Sequence, residues 1–262
     1  MCRLIAAPPG TSRMEALEIL DRMEFRNKDG FGYSFLKEGN FVTFKWALSF
    51  TELLKRGYPL LQHMPHNTWT IIHQRAASCG AIAKENSHPF IIDDKWAICH
   101  NGAFREHRIV SLALSTFIDL KGQTDSEIAA NLINCISPRE FAMNEEIMQA
   151  GVYLCLNKNG SLEVIKNSGD LVIHERKDGT ILLSSELSYT NYKQSEANRG
   201  WYKFNPDGKF AKFVERKWSS TSYSGKTWIH GGGDFRGSRT SSHYPGAMSS
   251  FSLMNQYEHM GD

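Results

Sequence analysis

Met1-Cys2-Arg3-Leu4-Ile5-Ala6-Ala7 is the stretch from which the rest of the chain is read. Leu4 to Ala7 is a short apolar run and reads as a strand. Cys2 stands directly before it. A small second residue permits removal of initiator Met1, which makes Cys2 the amino terminus. Its thiol and a free α-amine then lie on one residue. An α-amine, with an ordinary pKa of about 7.7–8.0, accepts a proton at neutral pH. A thiol near about 8.5 is a strong nucleophile. One residue thus supplies nucleophile and base, directly or through a water. Taken alone, the feature has an ordinary explanation: a second residue that happens to be Cys.

Outward from this strand, Ser12-x-x-Glu15 reads as a capping box, with Leu17, Leu20 and Met23 at helical spacing. Tyr33–Leu36 and Phe41–Trp46 read as strands joined at Gly39-Asn40. Thr68–His73 and Lys95–His100 are further strands, and Glu106–Leu120 and Asp125–Cys135 are helices. After Gly151 the pattern turns to short strands at Val152–Asn157, Leu162–Lys166, Leu171–His174 and Ile181–Ser185, then a hairpin through Tyr202–Asn205 and Phe210–Val214. Helices mixed with largely antiparallel strands predict a layered α+β domain. It spans residues 1–218. Residues 219–262 are rich in Ser and Gly without a sustained period and read as a flexible tail.

Several fragments carry chemistry. Arg75 leaves an apolar strand in Ile71-Ile72-His73-Gln74-Arg75-Ala76-Ala77-Ser78-Cys79-Gly80, where its fork suits a carboxylate. The ordinary alternative is a surface Arg at a strand end. Asn86-Ser87-His88-Pro89-Phe90 reads as a turn. In His100-Asn101-Gly102, the Asn amide and the Gly N–H can hold an oxyanion, or the pair is a plain turn between strand and helix. Thr124-Asp125-Ser126-Glu127 reads as a helix cap, with Asp125 explained by the macrodipole or by a substrate ammonium. Arg26-Asn27-Lys28-Asp29-Gly30-Phe31-Gly32 is a glycine-hinged loop, either a lid or a turn. No His/Cys spacing supports a metal site. His63-Met64-Pro65-His66 is the closest pair and lacks a ligand partner. His73 and His100 are expected to hydrogen-bond within the core beside the site.

The order of these fragments resembles the class II glutamine amidotransferases, which are N-terminal-nucleophile glutaminases. The resemblance runs over about residues 2–190 and includes Ser184-Ser185-Glu186-Leu187. It implies a four-layer αββα sandwich of the N-terminal-nucleophile hydrolase type. It implies Cys2 as nucleophile, Asn101 and Gly102 as the oxyanion hole, Arg75 for the glutamine α-carboxylate, and Asp125 for its α-ammonium. Ser78 would line the pocket, and Arg26, Asp29, Gly30 and Gly32 would belong to a loop closing over glutamine. No cofactor is implied. Arg3 follows the Cys where many members carry Gly, and Met-Cys-Arg is closer to the branch resembling γ-glutamyl amide hydrolases. Ala76 and Cys79 also depart from the pattern.

The remaining counts set bounds. At 262 residues the chain can bury a sizeable core. Net charge is +2 and no basic cluster appears, which argues against nucleic-acid binding by charge. No apolar run approaches the about 20 residues of a membrane span. The 5 Cys are scattered, as in a reducing cytoplasm. There is no P-loop, since Ser220 replaces the first Gly before Gly225-Lys226-Thr227, and no pyrophosphatase loop. The chain therefore reads as a glutaminase with its ammonia acceptor, a synthase, on another chain. The alternatives are a self-sufficient amidohydrolase of γ-glutamyl compounds and a non-catalytic glutamine-binding regulatory module.

Overall fold

The computed structural model describes residues 2–23, 27–105, 107–114, 116–144, 149–186 and 192–216. Arg26, Leu187 and the expected tail at 219–262 lie outside them. Strands β1 (Arg3–Ala7), β2 (Gly30–Lys37), β3 (Asn40–Trp46), β4 (Thr70–Arg75), β9 (Val172–Glu175), β10 (Ile181–Ser184) and β11 (Lys193–Glu196) form one sheet. Its order is β11-β9-β10-β1-β4-β2-β3, so β1 is central. Strands β5 (Phe90–Ile92), β6 (Trp96–Phe104), β7 (Gln149–Asn157), β8 (Leu162–Lys166), β12 (Gly200–Phe204) and β13 (Phe210–Glu215) form the second sheet, ordered β13-β12-β8-β7-β6-β5. Every named pairing is antiparallel.

The period of two decides what each strand buries. Leu4 and Ala6 of β1, Ile71 of β4, Ala97 and Cys99 of β6, and Val152 and Leu154 of β7 meet between the sheets. The alternate residues face outward onto helices. On the first sheet, Gln74 donates to Leu20 O of α1 (Arg13–Met23) at 3.1 Å. Phe31 packs its ring against Phe50 of α2 (Phe50–Lys55). On the second, Ile98, Tyr153 and Ile165 pack with Ile128, Ala129 and Ile133 of α4 (Asp125–Ile136) and Phe141 of α5 (Pro138–Met143). Helix α3 (His107–Leu114) precedes them. The four layers implied by the resemblance are therefore present.

Local signals behave as their chemistry requires, with exceptions. The Ser12 hydroxyl accepts the Glu15 N–H and starts α1, but the Glu15 carboxylate turns away to Arg176. Only half of that capping box forms. The β2–β3 hairpin turns through Glu38 and Gly39, both at positive φ. The helix expected over 106–120 ends at Leu114.

Two expectations around the site need correction. Asn101 and Gly102 are not a turn. They continue β6 to Phe104, opposite Val152 and Gly151. Gly30 and Gly32 are not lid hinges. They are buried in β2, paired with Arg75 and His73. A Cβ on Gly32 would lie 2.1 Å from His88 O, so this glycine serves close packing rather than motion.

Candidate active site

The polar groups gather where β1, β4 and β6 lose their apolar inward residues. Along β4 the inward series is Ile71, His73, Arg75, and along β6 it is Ala97, Cys99, Asn101. Cys2 continues the inward series of Leu4 and Ala6. Its Sγ lies 3.4 Å from the Ala76 nitrogen, which donates to it, and 3.5 Å from Ala76 O. Burial pushes the Cys2 thiol up. The Ala76 N–H and the Arg75 charge oppose this, and Asp125 adds to it.

The residues around Cys2 are held from behind. The Ser185 hydroxyl accepts the Leu4 N–H at 2.8 Å, and Ser185 N–H donates to Leu4 O at 3.0 Å. Glu186 forms an ion pair with Arg3. The unusual Arg3 thus faces the outer side of β1 and anchors the strand next to the thiol. Ser184, Ser185 and Glu186 act as a brace for the Cys2 end of β1.

Arg75 is 2% exposed. Its Nη1 donates to Ala81 O at 3.0 Å, and its Nη2 donates to Cys79 O at 2.8 Å and Gly80 O at 3.3 Å. A guanidinium has five N–H groups. The Nε–H and one Nη1–H therefore have no partner among the described residues. Ser78 lies exposed in the same loop. Asp29 accepts the Ala77 N–H at 2.7 Å, and its own N–H donates to Arg75 O. Asp29 ties the loop down rather than covering the site.

The edge of β6 carries the next groups. Gly151 directs its N–H to Ser168 Oγ and its C=O to Asn167 and Ser168, away from β6. Gly102 is its partner in register, so this is a non-hydrogen-bonded pair and the Gly102 N–H points to the other edge of β6. Strand β5 pairs with Trp96, Ala97 and Ile98, so among the described residues no strand covers that edge at Gly102. Two residues on, the Phe104 N–H points the same way and donates to Asp125 Oδ2 at 2.8 Å. Asn101 is 5% exposed, and its carboxamide has no hydrogen-bond partner among the described residues. A Cβ on Gly102 would lie 2.1 Å from Ala150 O, so only glycine fits.

Asp125 is the first residue of α4, capped by the Thr124 hydroxyl, which accepts the Glu127 N–H. One carboxylate oxygen holds β6, and the other has no partner among the described residues. Glu127 does not complete a capping box. Its carboxylate accepts the Lys121 and Gly122 N–H groups at 2.8 and 2.7 Å.

A histidine column lies behind the thiol. His73 Nε2–H donates to His100 O at 3.1 Å, and the His73 and His88 rings are 4.0 Å apart. His100 donates from Nε2 to Ala150 O and accepts the Ser126 hydroxyl at Nδ1. Burial pushes His73 down to about 3 and His88 well below its ordinary value. His100 is lowered by burial, against the pull of Asp125. Neutral rings with so little basicity are structural, not proton carriers at neutral pH. Lys45 donates to Glu85 O, stands 4.8 Å over the Phe90 ring, and is lowered to about 8 by burial.

Sequence reasoning placed Cys2, Arg75, Asn101, Gly102 and Asp125 in one site, and these the fold brings to one end of the sandwich. It missed the work of Asp29, Asn86, Glu127 and Ser185, which hold backbone groups of other segments, and of Ser126, which holds the His100 ring. Among the described residues, no group of three or more His, Cys, Asp or Glu is arranged to hold a metal ion. No helix there is long and apolar enough to cross a membrane.

The chain belongs to the class-II glutamine amidotransferases, whose family profile matches residues 21–193. It is 24% identical over 197 residues to a glutamine–fructose-6-phosphate aminotransferase (isomerizing) of Pectobacterium atrosepticum, covering 71% of this chain and 32% of that protein. The enzyme of the same name from Caldanaerobacter subterraneus is 27% identical over 180 residues, covering 64% and 27%. The chain thus spans about a third of the length of these curated relatives. Among solved structures, the glutamine phosphoribosylpyrophosphate amidotransferase of B. subtilis superposes with a TM-score of 0.64 at 16% identity, over 79% of this chain and 48% of that one. A glutamine aminotransferase class-II domain protein of Silicibacter pomeroyi superposes with a TM-score of 0.52 at 13% identity, over 82% of this chain and 99% of that one. These likenesses establish the shared fold.

Proposed function

We propose that the chain hydrolyses the side-chain amide of glutamine through a γ-glutamyl thioester on Cys2. Met1 is removed first, and the Cys2 α-amine becomes the base. Arg75 binds the substrate α-carboxylate and Asp125 its α-ammonium, with Ser78 at the pocket wall. The thiol gives its proton to the α-amine as sulfur bonds to the amide carbon. The Asn101 Nδ2 and the Gly102 N–H hold the tetrahedral oxyanion. The protonated Cys2 α-amine passes this proton to the departing nitrogen, the C–N bond breaks, and ammonia leaves. A water then adds to the thioester, and glutamate departs as the thiol is restored. Each oxyanion donor is worth roughly 3 kcal/mol of barrier.

The observation that carries this reading is the pairing of the Cys2 and Arg75 strand ends opposite an open β6 edge bearing Asn101 and Gly102. The weak basicity of His73 and His88 supports the α-amine as base in place of a Cys–His pair. Residues 1–218 form the catalytic domain, and 219–262 are appended to it. Ammonia passes to a synthase partner on a separate chain. The test is stoichiometric release of glutamate and ammonia from L-glutamine. Wild type should release both and Cys2→Ala neither, while release by Cys2→Ala would sink the reading.

A second reading is a self-sufficient amidohydrolase of γ-glutamyl amides. Arg3 directly after Cys2, paired with Glu186, favours it. Glutamine and a γ-glutamyl amide offered at equal concentration separate the two readings. Preference for free glutamine removes the second.

A further inference from the structure

Asn86 stands between the two loops that lead to Arg75 and Asp125, and its carboxamide serves both. Its Nδ2 donates to Ala81 O at 3.0 Å, and its Oδ1 accepts the Gln123 N–H at 2.7 Å. Ala81 O is also the acceptor for Arg75 Nη1. Gln123 runs directly into Thr124, the cap of α4, and Asp125, its first residue. A short relay therefore connects the guanidinium to the carboxylate: Arg75, Ala81, Asn86, Gln123, then two residues of chain. Asn86 is 3% exposed, so these bonds are not shared with bulk water.

Both loops approach this carboxamide closely. A Cβ on Gly122 would lie 2.6 Å from Asn86 Oδ1, and one on Gly80 would lie 3.1 Å from Asn86 Nδ2. Gly80 also has φ +73. Glu127 holds the Lys121 and Gly122 amides from the other side. The loop after Arg75 and the segment before Asp125 are thus clamped to one small planar group that has one donor end and one acceptor end in use.

We propose that Asn86 is a positioning residue that sets the separation of Arg75 and Asp125, and so makes the pocket read a carboxylate and an ammonium borne on one carbon. The proposal rests on the reading of Arg75 and Asp125 given above. Asn is required because the two arms need opposite polarity. Asp at position 86 keeps an acceptor for Gln123 but turns an acceptor toward Ala81 O. The Arg75 arm is then lost while the Asp125 arm stays.

The test compares wild type, Asn86→Asp and Arg75→Lys on three amides. These are L-glutamine, 4-aminobutanamide (which lacks the α-carboxylate) and glutaramate (which lacks the α-ammonium). Asn86→Asp should raise KM for glutamine and glutaramate about tenfold, the scale of one lost buried hydrogen bond, with kcat changed less. Its KM for 4-aminobutanamide should stay within about twofold of wild type, because no carboxylate is left for Arg75 to misplace. The effect of Asn86→Asp should also vanish in an Arg75→Lys background. An equal change for all three amides, or a pure fall in kcat, overturns the proposal. If Asn86→Asp fails to fold, Asn86→Ser is measured in the same way, and loss of folding in both makes Asn86 a structural residue and overturns it too. Normal glutamine turnover by Arg75→Lys would instead overturn the underlying reading of the pocket, and this inference with it.

Discussion

The Ala76 N–H donates to the Cys2 thiol across 3.4 Å, so the residue after Arg75 touches the sulfur that β1 presents. Cys2 and Arg75 are thereby locked to one strand pairing, because Arg3 and Gln74 face each other in register. Burial outweighs this hydrogen bond and raises the thiol. Cys2 should react with iodoacetamide more slowly at pH 7 than the exposed Cys135. Its rate should climb as pH rises toward 9. Peptide mapping of the alkylated protein reads both rates. Faster labelling of Cys2 than of Cys135 at neutral pH would show a thiol lowered rather than raised.

Asn101 offers a side chain without a hydrogen-bond partner among the described residues, beside a strand edge that β5 does not cover. Asn101→Gly should therefore cost kcat about 10²–10³-fold, the effect of one oxyanion donor. Its melting temperature should stay within a few degrees, since no internal hydrogen bond is lost. Thermal melting and steady-state kinetics on one preparation check both. A large drop in stability with intact kcat would assign Asn101 to the scaffold.

Gly102→Ala should fail differently. The added methyl meets Ala150 O and the Gly151 backbone. Gly151 sits at φ +114, and its Cβ would meet Asn101 O at 2.2 Å, so Gly151→Ala should fail in the same manner. Both variants should lose soluble yield and melting temperature together with activity, by more than about 2 kcal/mol of stability. Denaturant titration measures it.

Acid should weaken the fold through the histidine column. His73 is held neutral by burial, its pKa falling from 6.5 to about 3, and His88 moves the same way. Between those values the unfolded chain binds the proton and the folded chain does not, so stability rises with pH. It is fully present above about pH 6.5 and is lost as pH falls toward 3. Melting temperature measured between pH 7 and 4 should fall steadily, and His73→Asn should flatten that slope. An unchanged slope in the variant would place the titration elsewhere.

The brace behind the thiol is also measurable. Ser185→Ala leaves the buried Leu4 N–H without its side-chain acceptor, which costs about 1–3 kcal/mol. Activity should fall further than stability predicts, since the Cys2 end of β1 loses its backing. Comparing residual kcat with the folded fraction at the assay temperature decides it.

Much of this was legible in the residues themselves. The apolar run at Leu4, the hairpin over residues 33–46 and the Thr124 cap are local signals, and the structure keeps each. Short elements escaped. Helix α2 has 6 residues, β5 has 3, and β11 reads Lys-Gln-Ser-Glu with no apolar alternation. Asn101-Gly102 looked like a turn because the reason for Gly102 is Gly151, 49 positions away. The lid reading of Gly30 and Gly32 failed for the same cause: His88 O and Ser87 Oγ, not a hinge, demand those glycines. Asn86 and Glu127 hold backbone amides of other segments, and no local pattern announces such a partner.

The proposed function stands or falls with Cys2 as a live amino-terminal nucleophile in a glutamine-shaped pocket. Intact mass of the purified full chain, before and after a glutamine-mimicking diazo-ketone, tests it most directly, with Cys2→Ala alongside. Wild type should lose Met1 and gain one adduct, absent from Cys2→Ala. Retained Met1, no adduct on wild type, or an equal adduct on Cys2→Ala would contradict it.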